Sequence, residues 1–305
     1  MADRTQLNRD LNRSNATVLN QDIAPNQGQS GGGATVLNPK ISASDTIGAG
    51  SLLCGKYRVV EKMPVVAGEA DLYVCRQGSQ KYVAKVYRRT ASIKAEVIER
   101  LRRIKSPYIA AIYEVGAYRG ATVEILPYYS RGSLSGRTFH YEQLRSKIIP
   151  CLNEGLKALH DAKIIHKDLK PSNIMLTDDQ QSVAIIDFGI SSAAEATETV
   201  LVTQTGMTPE YSAPETFKGL YSSHADYYAL GITLYELFCG KTPYGNMPAE
   251  EIEKYIAIQR IPFPKTMPAE LQELIKALTY YDISNRRDKN NPNRRWGYDE
   301  VKKWL

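Results

Sequence analysis

The residues best placed to do chemistry form one string, His166-Lys167-Asp168-Leu169-Lys170-Pro171-Ser172-Asn173. Fourteen residues after Asn173 comes Asp187-Phe188-Gly189, led in by the apolar run Val183-Ala184-Ile185-Ile186. The pattern sets an acid and an amine two residues apart on a loop, then an amide, then a strand that delivers a second acid. Phosphoryl transfer from a nucleotide needs this set: a carboxylate to receive a hydroxyl proton, a cation for the γ-phosphate and two oxygen ligands for magnesium. Any one of these acids alone would read as a solvated loop carboxylate. The ordered set carries the information.

The elements that must position these groups follow from periodicity. Tyr57-Arg58-Val59-Val60, Leu72-Tyr73-Val74-Cys75 and Tyr82-Val83-Ala84-Lys85-Val86-Tyr87 alternate apolar side chains. The turn-prone stretches Ala67-Gly68-Glu69 and Gln77-Gly78-Ser79 separate them, so the segment reads as an antiparallel meander. Lys85 shares a strand face with Val83 and Tyr87, and a lysine on the inner face of a half-buried strand is unfavourable unless paired or functional. Residues 91–104 read as a helix, with Ile93, Val97, Leu101 and Ile104 in one arc. Glu96 falls at the border of that arc, whereas Glu99 lies nearly opposite, where it can pair with Arg103. Two more strands are expected at 109–115 and 121–126. Leu144, Ile148, Leu152, Leu156 and Leu159 repeat at helical spacing and lead to His166. A further apolar helix begins at Asp226 and closes at Gly240 and Pro243.

The motifs resemble the catalytic and metal-binding loops of eukaryotic-type protein kinases, and the resemblance covers about residues 55–305. It implies an α+β, bilobal protein-kinase fold of the bacterial eukaryotic-like (Hanks) type. That fold has an antiparallel β-sheet plus one helix in the N-lobe and a mainly helical C-lobe, preceded by a disordered N-terminal tail. The boundaries it suggests are a tail at 1–52, an N-lobe at 53–127, a hinge at 127–132 and a C-lobe at 133–305. By the same resemblance, Asp168 is the base and Lys170 neutralises the γ-phosphate, a lysine typical of serine/threonine kinases. Asn173 and Asp187 hold magnesium, or manganese in its place. Lys85, with Glu96 as its ion-pair partner, sets the α- and β-phosphates of ATP. A strict count back from Pro107 in the family pattern lands on Val97 rather than on an acid.

The loop over the phosphates, with Val65, Gly68 and Leu72, departs from the family's GxGxxGxV: Val65, Ala67 and Ala70 stand where the glycines belong. Val83 would cap the adenine, Leu126 would be the gatekeeper, and Tyr128 and Tyr129 would offer hinge backbone groups. Pro127 replaces the hinge acid and lacks a donor. Thr208 matches the threonine that contacts the base, and Thr203 and Thr205 are candidate phosphosites on the activation loop. Lys167 departs from H-R-D, and lysine does not reproduce arginine's bidentate fork on a phosphate. Asp226 matches a buried acid bracing the catalytic loop, and Arg295 an arginine paired with Glu215.

Composition bounds the rest. Residues 1 to about 50 are polar and poor in aromatics, which leaves too little apolar surface to offset ordering entropy. Ala16-Thr17-Val18-Leu19-Asn20 recurs as Ala34-Thr35-Val36-Leu37-Asn38, and Thr5-Gln6-Leu7-Asn8 shares its core. These repeats read either as drift in biased sequence or as phosphothreonine sites at Thr5, Thr17 and Thr35 for a forkhead-associated reader domain. The net charge of +6 comes in short basic pairs, so no nucleic-acid partner is expected. No apolar window approaches a membrane span, and the start carries no secretory signal. Four widely spaced cysteines fit a reducing cytoplasm. The expected function is a serine/threonine kinase acting on protein hydroxyls and on its own tail or activation loop. A pseudokinase scaffold displaying the tail is the alternative, and the peptide-docking stretch 208–215 disfavours a small-molecule substrate.

Overall fold

The computed structural model describes residues 47–64, 70–88, 95–188, 192–193, 200–201, 208–258, 261–284 and 288–305. Thr5, Thr17, Thr35, Val65, Gly68, Thr203 and Thr205 lie outside these residues.

Alternation makes the first lobe a sheet. In β2 (Tyr57–Lys62), Tyr57 and Val59 are buried while Arg58 and Val60 face solvent. With β1 (Leu52–Leu53), β3 (Ala70–Gln77), β4 (Gln80–Tyr87), β5 (Glu114–Tyr118) and β6 (Ala121–Pro127), it forms one six-stranded sheet. The strand order is β1-β2-β3-β4-β6-β5, and every pairing is antiparallel. Residues 47–52, expected in the tail, belong to this lobe instead. Ile47 packs into the sheet's core cluster, and the Ser51 carbonyl accepts from the Val59 amide at 2.8 Å.

Helix α1 (Ala95–Arg103) lies between β4 and β5 in sequence and buries Val97, Ile98 and Leu101. The strand expected at 109–115 divides. Its last two residues open β5, whereas its start bonds across the lobes: the Ala110 amide donates to Ile185 O at 2.9 Å and the Ile185 amide to Tyr108 O at 2.8 Å. An apolar run specifies burial, not the partner it is buried against.

The second lobe opens with α2 (Tyr141–Gln143), a π-helical turn at 144–148 and α3 (Ile149–Asp161). Pro150 has no N–H to give the preceding turn, and the widened turn sits immediately before it. Short strands follow: β7 (Ile164–Ile165), β8 (Ile174–Leu176), β9 (Val183–Ile185), β10 (Ser192–Ala193), β11 (Val200–Leu201) and β12 (Leu220–Tyr221). They pair antiparallel as β8 with β9, β7 with β10 and β11 with β12. The helices α4 (Ser223–Cys239), α5 (Ala249–Ile258), α6 (Ala269–Leu278) and α7 (Tyr298–Trp304) complete the lobe.

Leu152, Leu156 and Leu159 of α3 join Leu230, Leu234 and Leu237 of α4 and Leu271, Leu274 and Ile275 of α6 in one buried cluster. Gly231 lets α4 and α6 approach this closely, since a Cβ there would lie 2.7 Å from Thr279 Cγ2. Arg295, fully buried, clamps Glu215 bidentately, with Nη2 3.0 Å from Oε2. No helix among the described residues is long and apolar enough to cross a membrane.

Candidate active site

Strand register assembles one half of the site. Lys85 on β4 stands opposite Leu72 on β3 and opposite Glu124 on β6. Its ammonium lies 2.6 Å from Asp187 Oδ1 and 5.1 Å from the centre of the Tyr87 ring. Glu124 is buried, 7% exposed, and its Oε2 accepts from the Tyr87 hydroxyl at 3.1 Å. Burial pushes the Glu124 carboxyl above its ordinary range; Lys85 and the Tyr87 hydroxyl pull it back, and Asp187 adds to the rise.

Sequence reasoning missed Glu124. The available signal was an acid between Val123 and Ile125 in a run that reads as a strand; its register against Lys85 is set only in the folded sheet.

The expected pair of Lys85 with Glu96 is not formed. Glu96 is 62% exposed at its side chain and binds Arg100 at 2.6 Å, one helical turn away. Arg100 in turn donates to the carbonyls of Ala162 (3.3 Å) and Lys163 (3.2 Å), just past the end of α3. Glu99, 70% exposed, lies 3.6 Å from Arg103. The physical reason is the orientation of α1: Val97 and Leu101 take the buried face, which turns both glutamates towards solvent.

The loop after β7 supplies the other half. Asp168 Oδ1 accepts from Thr208 Oγ1 at 2.7 Å, Lys170 Nζ lies 2.8 Å from Asp168 Oδ2, and Lys170 also donates to Thr208 Oγ1 at 2.6 Å. Asn173 gives its amide nitrogen to the Asp168 carbonyl (2.8 Å) and Asp168 Oδ2 (3.0 Å). The β8–β9 hairpin then brings Asn173 and Asp187 to one end, because Ile174 pairs with Ile185 and the Ile186 amide donates to Asn173 O at 2.9 Å. Lys167 and Asp187 both hold left-handed backbone (φ 73° and 65°), a conformation that disfavours side chains by roughly 1–2 kcal/mol and collects at functional sites. Lys167 Nζ sits 4.9 Å from the Tyr221 ring centre.

Two contacts hold this loop from behind. Asp226, fully buried on α4, accepts from the backbone amides of His166 and Lys167 at 2.9 Å each, and His160 Nε2 is 2.8 Å from Oδ2. Burial alone would raise its carboxyl, yet the His160 hydrogen bond, the nearby histidines and the amides hold it below the ordinary value. His166 accepts from the Asp168 amide at Nδ1 (3.2 Å), its Nε2 lies 3.0 Å from Ile186 O, and its ring meets Phe188 edge-on.

Between the halves lies a cavity of about 290 Å³. Leu72, Val83 and Leu126 line it from the sheet, Met175 from β8, and Lys85, Glu124 and Asp187 stand in its wall. Tyr128 and Tyr129 close the hinge side, with Lys81 5.1 Å from the Tyr128 ring centre. The hinge is tied to the second lobe by Ser130, whose amide and hydroxyl donate to Asp178 Oδ1 at 2.9 and 2.7 Å. A slot with apolar walls and charged groups in one part of them suits a flat heterocycle carrying an anionic chain.

Comparison with known proteins gives a consistent picture. The family model described as "Protein kinase domain" matches residues 66–292. The serine/threonine-protein kinase PknA of Mycobacterium tuberculosis is 30% identical over 250 residues, 74% of this chain and 57% of that protein. Serine/threonine-protein kinase pkn2 of Myxococcus xanthus is 26% identical over 259 residues, 77% of this chain and 31% of that protein. CBL-interacting protein kinase 10 of rice (Oryza sativa subsp. japonica) is 28% identical over 244 residues, 75% of this chain and 54% of that protein. The chain spans from 27% to 57% of the length of such relatives.

Proposed function

This chain belongs to the protein kinase family, and from that premise we propose that it is an active serine/threonine kinase of the bacterial eukaryotic-like type. Membership implies use of ATP and a divalent cation. The donors here fit a hard cation: Asn173 spends its nitrogen on Asp168, which leaves an oxygen, and Asp187 brings carboxylate oxygens. Magnesium is the cation we propose, and when bound it neutralises charge on the phosphates.

In this reading, the cavity takes adenine between Val83 and Met175, beside Leu126 and the hinge. Lys85 holds the α- and β-phosphates. Asp168 orients a serine or threonine hydroxyl of a protein substrate and receives its proton as the new P–O bond forms and the bond from the γ-phosphorus to its bridging oxygen breaks. Lys170 offsets negative charge on the transferring group. Thr208 holds both Asp168 and Lys170 at their working positions and starts the stretch that docks a peptide. Autophosphorylation belongs to the same proposal, at Thr5, Thr17 and Thr35 of the tail, which a phosphothreonine reader would then bind, or at Thr203 and Thr205. So does a cytoplasmic location.

The observation that carries the reading is the closed triangle of Asp168, Lys170 and Thr208, with Asn173 bonded to the same aspartate. An ammonium, a hydroxyl and an amide gathered on one carboxylate support the reading of a transfer site over that of a solvated loop. The test is transfer of labelled γ-phosphate from Mg·ATP by the intact chain, by Asp168→Asn and by a chain lacking residues 1–40, which keeps Ile47 and Gly50 on the sheet. Loss of the base lowers the rate by about 10²–10⁴-fold. No label from the intact chain, with nucleotide still bound, would replace this reading with that of a scaffold. Loss of label on removal of the tail would make Thr5, Thr17 and Thr35 the main acceptors.

A further inference from the structure

We infer that Glu124, on β6, is the carboxylate that positions Lys85 for a nucleotide's phosphates, in place of an acid on α1. The inference rests on the kinase reading and deepens it. Three observations carry it. Directly opposed residues of an antiparallel pair put their side chains on one face, roughly 5 Å apart at Cβ, and Glu124 is the register partner of Lys85. Both are buried in the same cavity wall, and Tyr87, next on that face of β4, ties them together: its hydroxyl donates to Glu124 and its ring lies under the ammonium of Lys85. The glutamates of α1 are committed elsewhere, Glu96 to Arg100 and Glu99 to Arg103, both on the exposed side.

Turning either glutamate towards Lys85 would require Val97 and Leu101, 1% and 5% exposed, to leave the core. It would also break the hold of Arg100 on the carbonyls of Ala162 and Lys163. The carboxylate in direct contact with Lys85 is Asp187, at 2.6 Å, and its oxygens are the proposed donors to a divalent cation. When they serve a cation, Glu124 is the acid that still faces the lysine. A strand residue fixed by register has little freedom to turn away, so the placement of Lys85 does not depend on how α1 sits.

The experiment is a double-mutant cycle read by ADP binding to the full chain, by calorimetry, with the metal chelated and again with magnesium. Glu124→Gln keeps the size and an acceptor for Tyr87 but removes the charge, and it weakens ADP binding about ten-fold, as expected for a coupled buried pair. In a Lys85→Met background the same substitution changes ADP affinity less than about two-fold, because the partner is gone. Glu96→Gln in the wild-type background stays within about two-fold, as an exposed helical ion pair should.

Wild-type affinity in Glu124→Gln would overturn the inference. So would an equal loss in both backgrounds, or a Glu96→Gln loss matching that of Glu124→Gln. If Glu124→Gln does not fold, Glu124→Asp enters the same cycle: it keeps the charge but shortens the reach, and its loss should likewise vanish without Lys85. Because binding is read without turnover, a chain that binds ADP but transfers no phosphate would sink the kinase reading while still reporting on the pair.

Discussion

Two acids are buried in this molecule beside the candidate active site, and the fold treats them in opposite ways. Asp226 has no exposure and is surrounded by donors that do not move: two backbone amides and a histidine set by α3. Its carboxyl is held below the ordinary range in spite of burial. Glu124, nearly as buried, has one hydroxyl and the charge of Lys85, and its carboxyl is raised. A buried carboxylate met by fixed dipoles stabilises the fold in its charged form. One left to depend on a single side-chain cation is poorly compensated and loses stability at neutral pH. The first is a brace. The second is a poise, retained at some expense of stability beside a ligand cavity.

That contrast can be broken at its strong end first. Asp226→Ala leaves three donors facing nothing and should destabilise the chain by about 3–5 kcal/mol in urea denaturation. A loss below about 1 kcal/mol, the worth of one ordinary hydrogen bond, would mean that Asp226 braces nothing.

The pH dependence comes next, and its sign differs for the two acids. Asp226, with a lowered folded value, contributes stability that is present above the ordinary 3.8 and lost as pH falls through the folded value. The stability gap between wild type and Asp226→Asn should therefore narrow on acidification. Glu124 is raised above its ordinary 4.5, so its contribution is full below that value and is lost as pH rises through the folded one. Relative to wild type, Glu124→Gln should gain as pH rises. Unfolding midpoints followed in parallel for both variants, with metal chelated, check this: slopes of the same sign would erase the distinction.

A smaller effect is expected from Tyr87→Phe, which removes the one hydroxyl bound to Glu124. We expect about 1 kcal/mol of lost stability, the net worth of a single neutral donor to a buried acceptor. Smallest of all should be Glu124→Gln at neutral pH, within about 1 kcal/mol of wild type in thermal unfolding, since the lost charge was poorly compensated. A large destabilisation there would make Glu124 a brace of the Asp226 kind.

Much of this molecule was legible in its residues. Asp168, Lys170, Asn173 and Asp187 could be singled out because they sit within twenty residues of one another, on loops whose geometry is set by local chain direction. The strand carrying Lys85 and the strand after residue 120 were readable from alternation, and they stand at Gln80–Tyr87 and Ala121–Pro127. The run beginning at Ile109 was not. Its apolar residues announce burial, but whether they bond to β6 or to β9 depends on how two lobes meet. The same gap explains the lysine's partner. Helical periodicity locates an apolar arc to within a residue or so, and one residue is a rotation of about 100°; that is enough to exchange Val97 with Glu96 at the buried face.

The sequence by itself determined the kinds of groups available, their order and the face each takes on its own strand or helix, because those depend on bonds and dihedrals a few residues long. Tertiary structure alone decided which groups meet. Strand register set Glu124 against Lys85, and the packing of Val97 and Leu101 sent Glu96 to Arg100. The buried amides of the loop after β7 chose Asp226 as their acceptor. Pairings across long stretches of chain are selected by burial and by the satisfaction of buried polar groups, and neither quantity exists until the chain has closed on itself.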